Sequence, residues 1–174
     1  MYEKERLNTL EVALNNETRE RNFYVKNAER TTNQVGKTMF HHIAEEELEH
    51  YERLVQLHER WEKTEKWPET LPLKVRNTIV KDVLKDAVRQ VEREPEKDDD
   101  DLKAIRTAID FEEKGSMHYA ALRDEVSDLK EKEFFDLLAK IEHEHFLSLK
   151  ETEEFLVNPA SWYTETEHHI LDGA

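Results

Sequence analysis

Glu47-x-x-His50 and Glu142-x-x-His145 are one motif written twice, 95 residues apart from Glu47 to Glu142. The same offset carries Glu17 onto Glu112 and Tyr24 onto Tyr119. Each repeat supplies a Glu, a Tyr seven residues later, and a Glu-x-x-His that starts thirty residues after the first Glu. Glu and His three positions apart on a helix project from one face, so each pair offers oxygen and nitrogen to a single region. Two copies give four carboxylates and two imidazoles, a ligand set for two metal ions inside a four-helix bundle. Glu17 and Glu112 would bridge or cap the ions. Carboxylate with imidazole suits iron or manganese. Four ionised Glu balance two divalent cations, whereas four buried carboxylates without metal must protonate. A single Glu-x-x-His in a Glu-rich chain carries little weight. Two copies in register with matched Glu and Tyr carry much more.

These residues interrupt apolar faces. Gly36, Phe40, Ile43, Glu47, His50, Leu54 and Leu57 alternate steps of four and three, which traces one side of a helix. Glu131, Phe135, Leu138, Glu142, His145, Leu149 and Thr152 repeat the pattern. Leu7, Leu10, Leu14, Glu17, Arg21, Tyr24 and Ala28 follow the same rule, as do Leu102, Ile105, Ile109, Glu112, Ser116, Tyr119 and Arg123. Tyr24 and Tyr119, two turns beyond Glu17 and Glu112, are placed to donate hydrogen bonds to ligand carboxylates of facing helices. Glu20, one turn after Glu17, is a possible fifth carboxylate, and its repeat mate is Gly115. Glu46, Glu49, Glu113, His143 and Glu144 fall off these faces and are expected to be solvated. His41-His42 and His168-His169 are expected at the surface, because adjacent helical side chains point about 100° apart and share one ion poorly.

The expected architecture is all-α. Long helices run from about Glu3 to Arg30, Asn33 to Glu62, Asp100 to Glu125, and from a cap at Ser127 or Asp128 to Leu156. Short links make each consecutive pair antiparallel. A long crossover over about 63–100, broken by Trp67-Pro68, Leu71-Pro72 and Glu94-Pro95, carries a short amphipathic helix through Val75, Ile79, Val83, Ala87 and Val91. It lets the second pair sit as a pseudo-twofold copy of the first. The run Asp98 to Asp101 reads as a solvated turn and helix N-terminus, where negative charge suits the helix dipole. Residues 1–157 form the expected bundle domain. Residues 158–174 form an extension that packs Trp162 and Ile170 onto it.

With 3 Gly and 4 Pro against 39% charged residues, the composition favours long helices over sheets. A formal net charge of −15 argues against a nucleic-acid partner and against an anionic membrane surface. No stretch approaches the roughly 20 apolar residues of a membrane span. The first residues lack the apolar run of a signal peptide, so a cytoplasmic location is expected. The absence of cysteine excludes disulfides, thiolate metal sites and catalytic thiols.

The stretch from Glu17 to Tyr24, followed by Ile43-Ala-Glu-Glu-Glu-Leu-Glu-His50, resembles the di-iron domain of rubrerythrins in the ferritin-like superfamily, and the likeness extends over about residues 5–156. The resemblance implies a ferritin-like four-helix bundle. It implies metal ligation by Glu17, Glu47, His50, Glu112, Glu142 and His145, supported by Tyr24 and Tyr119. It also implies an oxidoreductase that reduces hydrogen peroxide or dioxygen with two iron ions, and a homodimer is expected. Rubrerythrins usually carry a seventh ligand, a Glu one turn after the third-helix Glu, where this chain has Gly115; Glu20 offers a substitute from the pseudo-symmetric side. They also usually carry a four-cysteine rubredoxin domain. A chain without cysteine must draw electrons from a separate donor, such as a rubredoxin-like protein. The competing readings are a ferritin-type ferroxidase that stores or transfers iron, a di-manganese catalase-like or radical-generating protein, and a metal-free helical interaction module.

Overall fold

The computed structural model describes residues 3–64, 76–91 and 98–160. Five helices follow one another: α1 (Glu3–Arg30), α2 (Gln34–Thr64), α3 (Val80–Arg89), α4 (Asp99–Glu125) and α5 (Leu129–Val157). The four long ones make an all-α bundle. α1 packs mainly on α2 and α4 mainly on α5, and the short links between them make each pair an antiparallel hairpin. The hairpins meet through α2 against α5 and α1 against α4. Among the described residues, no helix is long and apolar enough to cross a membrane. The breakers at Trp67-Pro68, Leu71-Pro72 and Glu94-Pro95, the expected helix start at Val75, and the tail with Trp162, His168-His169 and Ile170 lie outside the described residues.

Side chains that bind free backbone amides set the helix starts. Asn33 Oδ1 accepts from Gly36 N at 3.0 Å at the start of α2. Asp98 accepts from Asp100 N and Asp101 N at the start of α4. Asp128, rather than Ser127, accepts from Lys130 N and Glu131 N at the start of α5. Such caps contribute about 1 kcal/mol each. Asp101 departs from the expected solvated run. It is buried, accepts from Asn33 N at 3.2 Å, and lies 3.7 Å from the Arg30 guanidinium. The α1–α2 link supplies these partners, so the carboxylate joins the start of α4 to that link.

The amphipathic crossover helix is present, but its buried face is Val80, Leu84, Ala87 and Val88. Ile79, expected on that face, is 58% exposed. The expected start near Val75 is corrected: residues 76–79 are not helical, Ile79 is the N-cap residue with φ of −112° and ψ of 14°, and the helix begins at Val80. α3 packs on α2 and α5.

Burial of one face holds long, highly charged helices together, since helix propensity alone leaves them marginal. The core forms two clusters. One gathers Tyr24, Phe40, Ile43, Leu84, Ile105, Leu149 and Phe155. The other gathers Leu10, Leu54, Leu57, Tyr119, Phe135 and Leu138. Along α1, α2 and α5 the expected Glu and His positions fall between the members of these two clusters, so apolar layers bound the polar one.

Candidate metal centre

α1 brings Glu17 to the bundle interior, α2 brings Glu47 and His50, α4 brings Glu112, and α5 brings Glu142 and His145. All six are at most 2% exposed. They resolve into two groups: Glu17, Glu47, His50 and Glu142, and Glu47, Glu112, Glu142 and His145. Within each group one donor atom per residue lies within 4.8 Å of every other, a separation that lets a single ion touch them all. Glu47 and Glu142 belong to both groups, whereas Glu17 and Glu112 each belong to one. The two Glu of the Glu-x-x-His motifs are therefore placed to be shared, and Glu17 and Glu112 to cap.

The imidazoles face inward through Nδ1. His50 Nδ1 lies 3.3 Å from Glu47 Oε2, 3.3 Å from Glu142 Oε1 and 3.6 Å from Glu17 Oε2. His145 Nδ1 lies 3.3 Å from Glu112 Oε2 and 3.4 Å from Glu47 Oε1. The two rings face each other with centroids 6.1 Å apart.

The donor atoms fit a metal pair. Glu17 Oε2, both oxygens of Glu47, both of Glu142 and His50 Nδ1 are buried without a hydrogen-bond partner. A buried polar atom left unpaired costs about 1–3 kcal/mol, more when charged. Several such atoms converging on one space are what a cation would satisfy. Oxygen donors with neutral imidazole suit iron or manganese.

Charge crowding is visible in the acidities. Burial pushes the Glu17 carboxyl up to about 8, with the Glu47 charge adding to the effect. Burial also raises Glu142 well above the carboxylate range, helped by Glu47 and Glu112. Glu47 itself is held well below that range: burial pushes it up, but the charge of His50 and the nearby Glu17 and His145 outweigh it. Burial alone would depress both imidazoles. The charge of Glu47 beside His50, and of Glu112 beside His145, raises them well above their usual value instead. The cluster thus keeps protons where divalent ions could replace them.

Each Tyr reaches across to the opposite hairpin. The Tyr24 hydroxyl donates to Glu112 Oε1 and the Tyr119 hydroxyl donates to Glu17 Oε1. Burial, then the partner carboxylate, pushes both phenols well above their usual range, so they stay protonated donors. The pseudo-twofold is explicit here, since each repeat supplies the donor for the other repeat's Glu.

A model of the family described as Rubrerythrin matches residues 8–153. The chain belongs to the rubrerythrin family. No curated protein and no solved structure gives a significant match. Relative to the usual rubrerythrin pattern, the missing Glu at Gly115 has a structural counterpart: a Cβ there would stand 3.1 Å from Glu142 Oε2, so the Glu142 carboxylate fills that space. Glu20 is buried beside the cluster but joins neither group. Burial and then the charges of Glu47, Glu112 and Glu17 push its carboxyl up to about 9.

Three expectations about flanking residues are corrected. Glu46 is half-buried, not solvated, and its Oε2 lies 2.5 Å from His145 Nε2. Burial pushes its carboxyl up, but His145 and His42 outweigh this and hold it well below the usual range. His42 is half-buried rather than at the surface, with Nε2 3.1 Å from Glu46 Oε1. Both sit where α2 meets α5 and the crossover, which shields positions adjacent to the buried face. Glu49 is also half-buried, 3.0 Å from Arg76 Nε and 3.8 Å from Arg53. Glu113, His143, Glu144 and His41 are exposed, as expected. One signal did mark Glu46: its repeat mate is the apolar, buried Ile141.

Proposed function

We propose that this rubrerythrin is a non-haem di-iron oxidoreductase that reduces hydrogen peroxide, or dioxygen, with electrons from a separate donor such as a rubredoxin-like protein. The observation that carries the reading is the pair of four-residue groups sharing Glu47 and Glu142, with six of their donor atoms buried and unpaired. In this reading Glu17, Glu47, His50 and Glu142 hold one ion, and Glu47, Glu112, Glu142 and His145 hold the other. Two reduced irons would supply both electrons that a peroxide needs to become water.

The chain's own residues set the conditions. Tyr24 and Tyr119 fix the orientations of Glu112 and Glu17 by donating to them. The apolar layers containing Phe40 and Ile43 on one side and Leu54 and Leu138 on the other keep bulk water from the cluster. Glu20, protonated at neutral pH and one turn from Glu17, holds a proton at its carboxyl within the buried region. Without a cysteine to hold an iron of its own, the chain takes its electrons from a separate donor in this reading, and a net charge of −15 with no apolar span among the described residues suits the cytoplasm.

Protein purified without added metal should contain two irons per chain. Anaerobically reduced protein mixed with peroxide in a stopped-flow instrument should reoxidise much faster than the same protein mixed with air-saturated buffer. Equal rates would refute the peroxidase reading. Two manganese ions in place of iron would transfer it to a catalase-like enzyme. Iron retained far beyond two per chain would indicate storage.

A further inference from the structure

Two positions break the pseudo-twofold next to the metal-facing residues, and one of them backs a single imidazole. If the His145 ring turns Nδ1 toward Glu47 and Glu112, its Nε2 is left to carry the hydrogen. Glu46 Oε2 stands 2.5 Å from that Nε2, and His42 Nε2 stands 3.1 Å from the other oxygen of Glu46. The carboxylate thus hydrogen-bonds His145 on the facing helix and lies within ion-pair distance of His42 one turn earlier on its own helix. For His50, the 95-residue offset gives the corresponding position to Ile141, a buried hydrocarbon that can accept nothing. Among the described residues, no carboxylate stands within ion-pair distance of His50 Nε2.

Resting on the di-metal reading above, we propose that Glu46, supported by His42, is a positioning residue for His145 and makes the two metal positions unequal: the ion held with His145 and Glu112 binds more tightly and first, and the ion held with His50 and Glu17 binds second. The physical basis is preorganisation. An imidazole whose remote N–H is tied to a carboxylate keeps one tautomer and one ring angle, and it is a stronger donor through its other nitrogen. His50 has its inward neighbours at similar distances but no such carboxylate tie among the described residues, so its ring must be fixed at the moment of binding. Losing a tie of this kind weakens metal affinity about 10–100-fold.

The test is an anaerobic Co(II) titration of the full-length chelated protein, read by the visible absorption bands of Co(II) and by calorimetry. Wild type should take up two ions in two resolved steps. Glu46→Leu should weaken the first step about 10–100-fold and leave the second in place, so that the steps merge. Glu46→Gln, which keeps an acceptor oxygen at nearly the same place, should fall between them and covers the case in which the leucine variant fails to fold. Two wild-type steps that Glu46→Leu or Glu46→Gln leaves unchanged, or that drop equally, would overturn the inference while the metal reading stands. Failure of the wild-type protein to bind Co(II) would overturn both.

Discussion

Removing metal should make the stability of this protein fall steeply with rising pH, and restoring metal should abolish that fall. The unfolded value for a Glu is 4.5, whereas the folded chain holds Glu17 at about 8 and Glu20 at about 9. Glu142, His50 and His145 are displaced upward as well. A group raised in the folded state contributes stability that is fully present below its unfolded value and is lost as pH climbs through its folded value. At about 1.4 kcal/mol per pH unit, Glu17 alone accounts for about 5 kcal/mol between pH 4.5 and pH 8. That is comparable with the whole stability of many domains, about 5–15 kcal/mol. Glu47, held low, acts in the opposite sense and loses its contribution only as pH falls below the ordinary carboxylate range. Chelated protein should therefore show a thermal midpoint that declines steadily from pH 5 to pH 9. With two divalent ions bound, the midpoint should be higher and nearly level above pH 6. Metal binding at pH 7 should expel protons from Glu17, Glu142 and the two imidazoles, up to four per metal pair. Calorimetry in buffers of different ionisation enthalpy counts them. Chelated protein equally stable at pH 5 and pH 9, or release of less than one proton per chain, would refute the reasoning.

Three further outcomes follow from the same geometry. Glu47→Gln should abolish binding of both ions, because Glu47 belongs to both groups, whereas Glu17→Gln should lose only the ion on the His50 side; metal analysis after desalting distinguishes none from one. Tyr119→Phe and Tyr24→Phe each remove the donor to a buried carboxylate and should cost about 1.5–3 kcal/mol in denaturant unfolding of the protein. Gly115→Ala replaces a helix-interior glycine and should gain up to about 1 kcal/mol in the chelated protein. Its Cβ would crowd Glu142 Oε2 at 3.1 Å, so metal affinity should drop while chelated stability rises, a divergence that paired melting and titration curves would show.

The parts of this site legible in the sequence are those that a helical period governs. Glu17, Glu47, His50, Glu112, Glu142 and His145 lie on apolar stripes, and a stripe long enough to bury itself must carry its polar members inward. Tyr24 and Tyr119 were legible because the repeat set them two turns beyond a Glu on the same stripe. Residues whose exposure depends on a neighbouring element were not. Glu46 lies about 100° round the helix from Glu47, and its environment is settled by where α5 and the crossover come to rest. Asp101 looked like one more acid in an acidic run, and the Arg30 side chain, the Thr32 hydroxyl and the Asn33 amide, some seventy residues earlier in the chain, distinguish it. Ile79 failed for a local reason: residues 76–79 stay outside the helix, which begins at Val80 and buries Val80, Leu84, Ala87 and Val88 in place of the expected stripe.

The departures from symmetry share a physical origin. A duplicated hairpin can repeat its inward side chains faithfully, because both copies face the same space and the shared Glu47 and Glu142 tie the two halves to one geometry. A single chain, however, can cross from one hairpin to the other only once. That crossing lays α3 against α2 and α5, and among the described residues no equivalent helix packs against α1 and α4. The Glu46 environment lies on the covered flank, and burial there makes a carboxylate tolerable only because His145 and His42 stand within reach. At the corresponding place the 95-residue offset puts Leu137 where His42 stands, and the buried residue in the Glu46 position is the hydrocarbon Ile141. Glu20 and Gly115 divide in the same way: the carboxyl at Glu20 remains buried by keeping its proton, while at Gly115 the Glu142 carboxylate already occupies the space. The inequalities at Glu46 and Ile141 and at Glu20 and Gly115 lie one position or one turn away from the six that face inward, where they can change the properties of each half without disturbing the donor set they share.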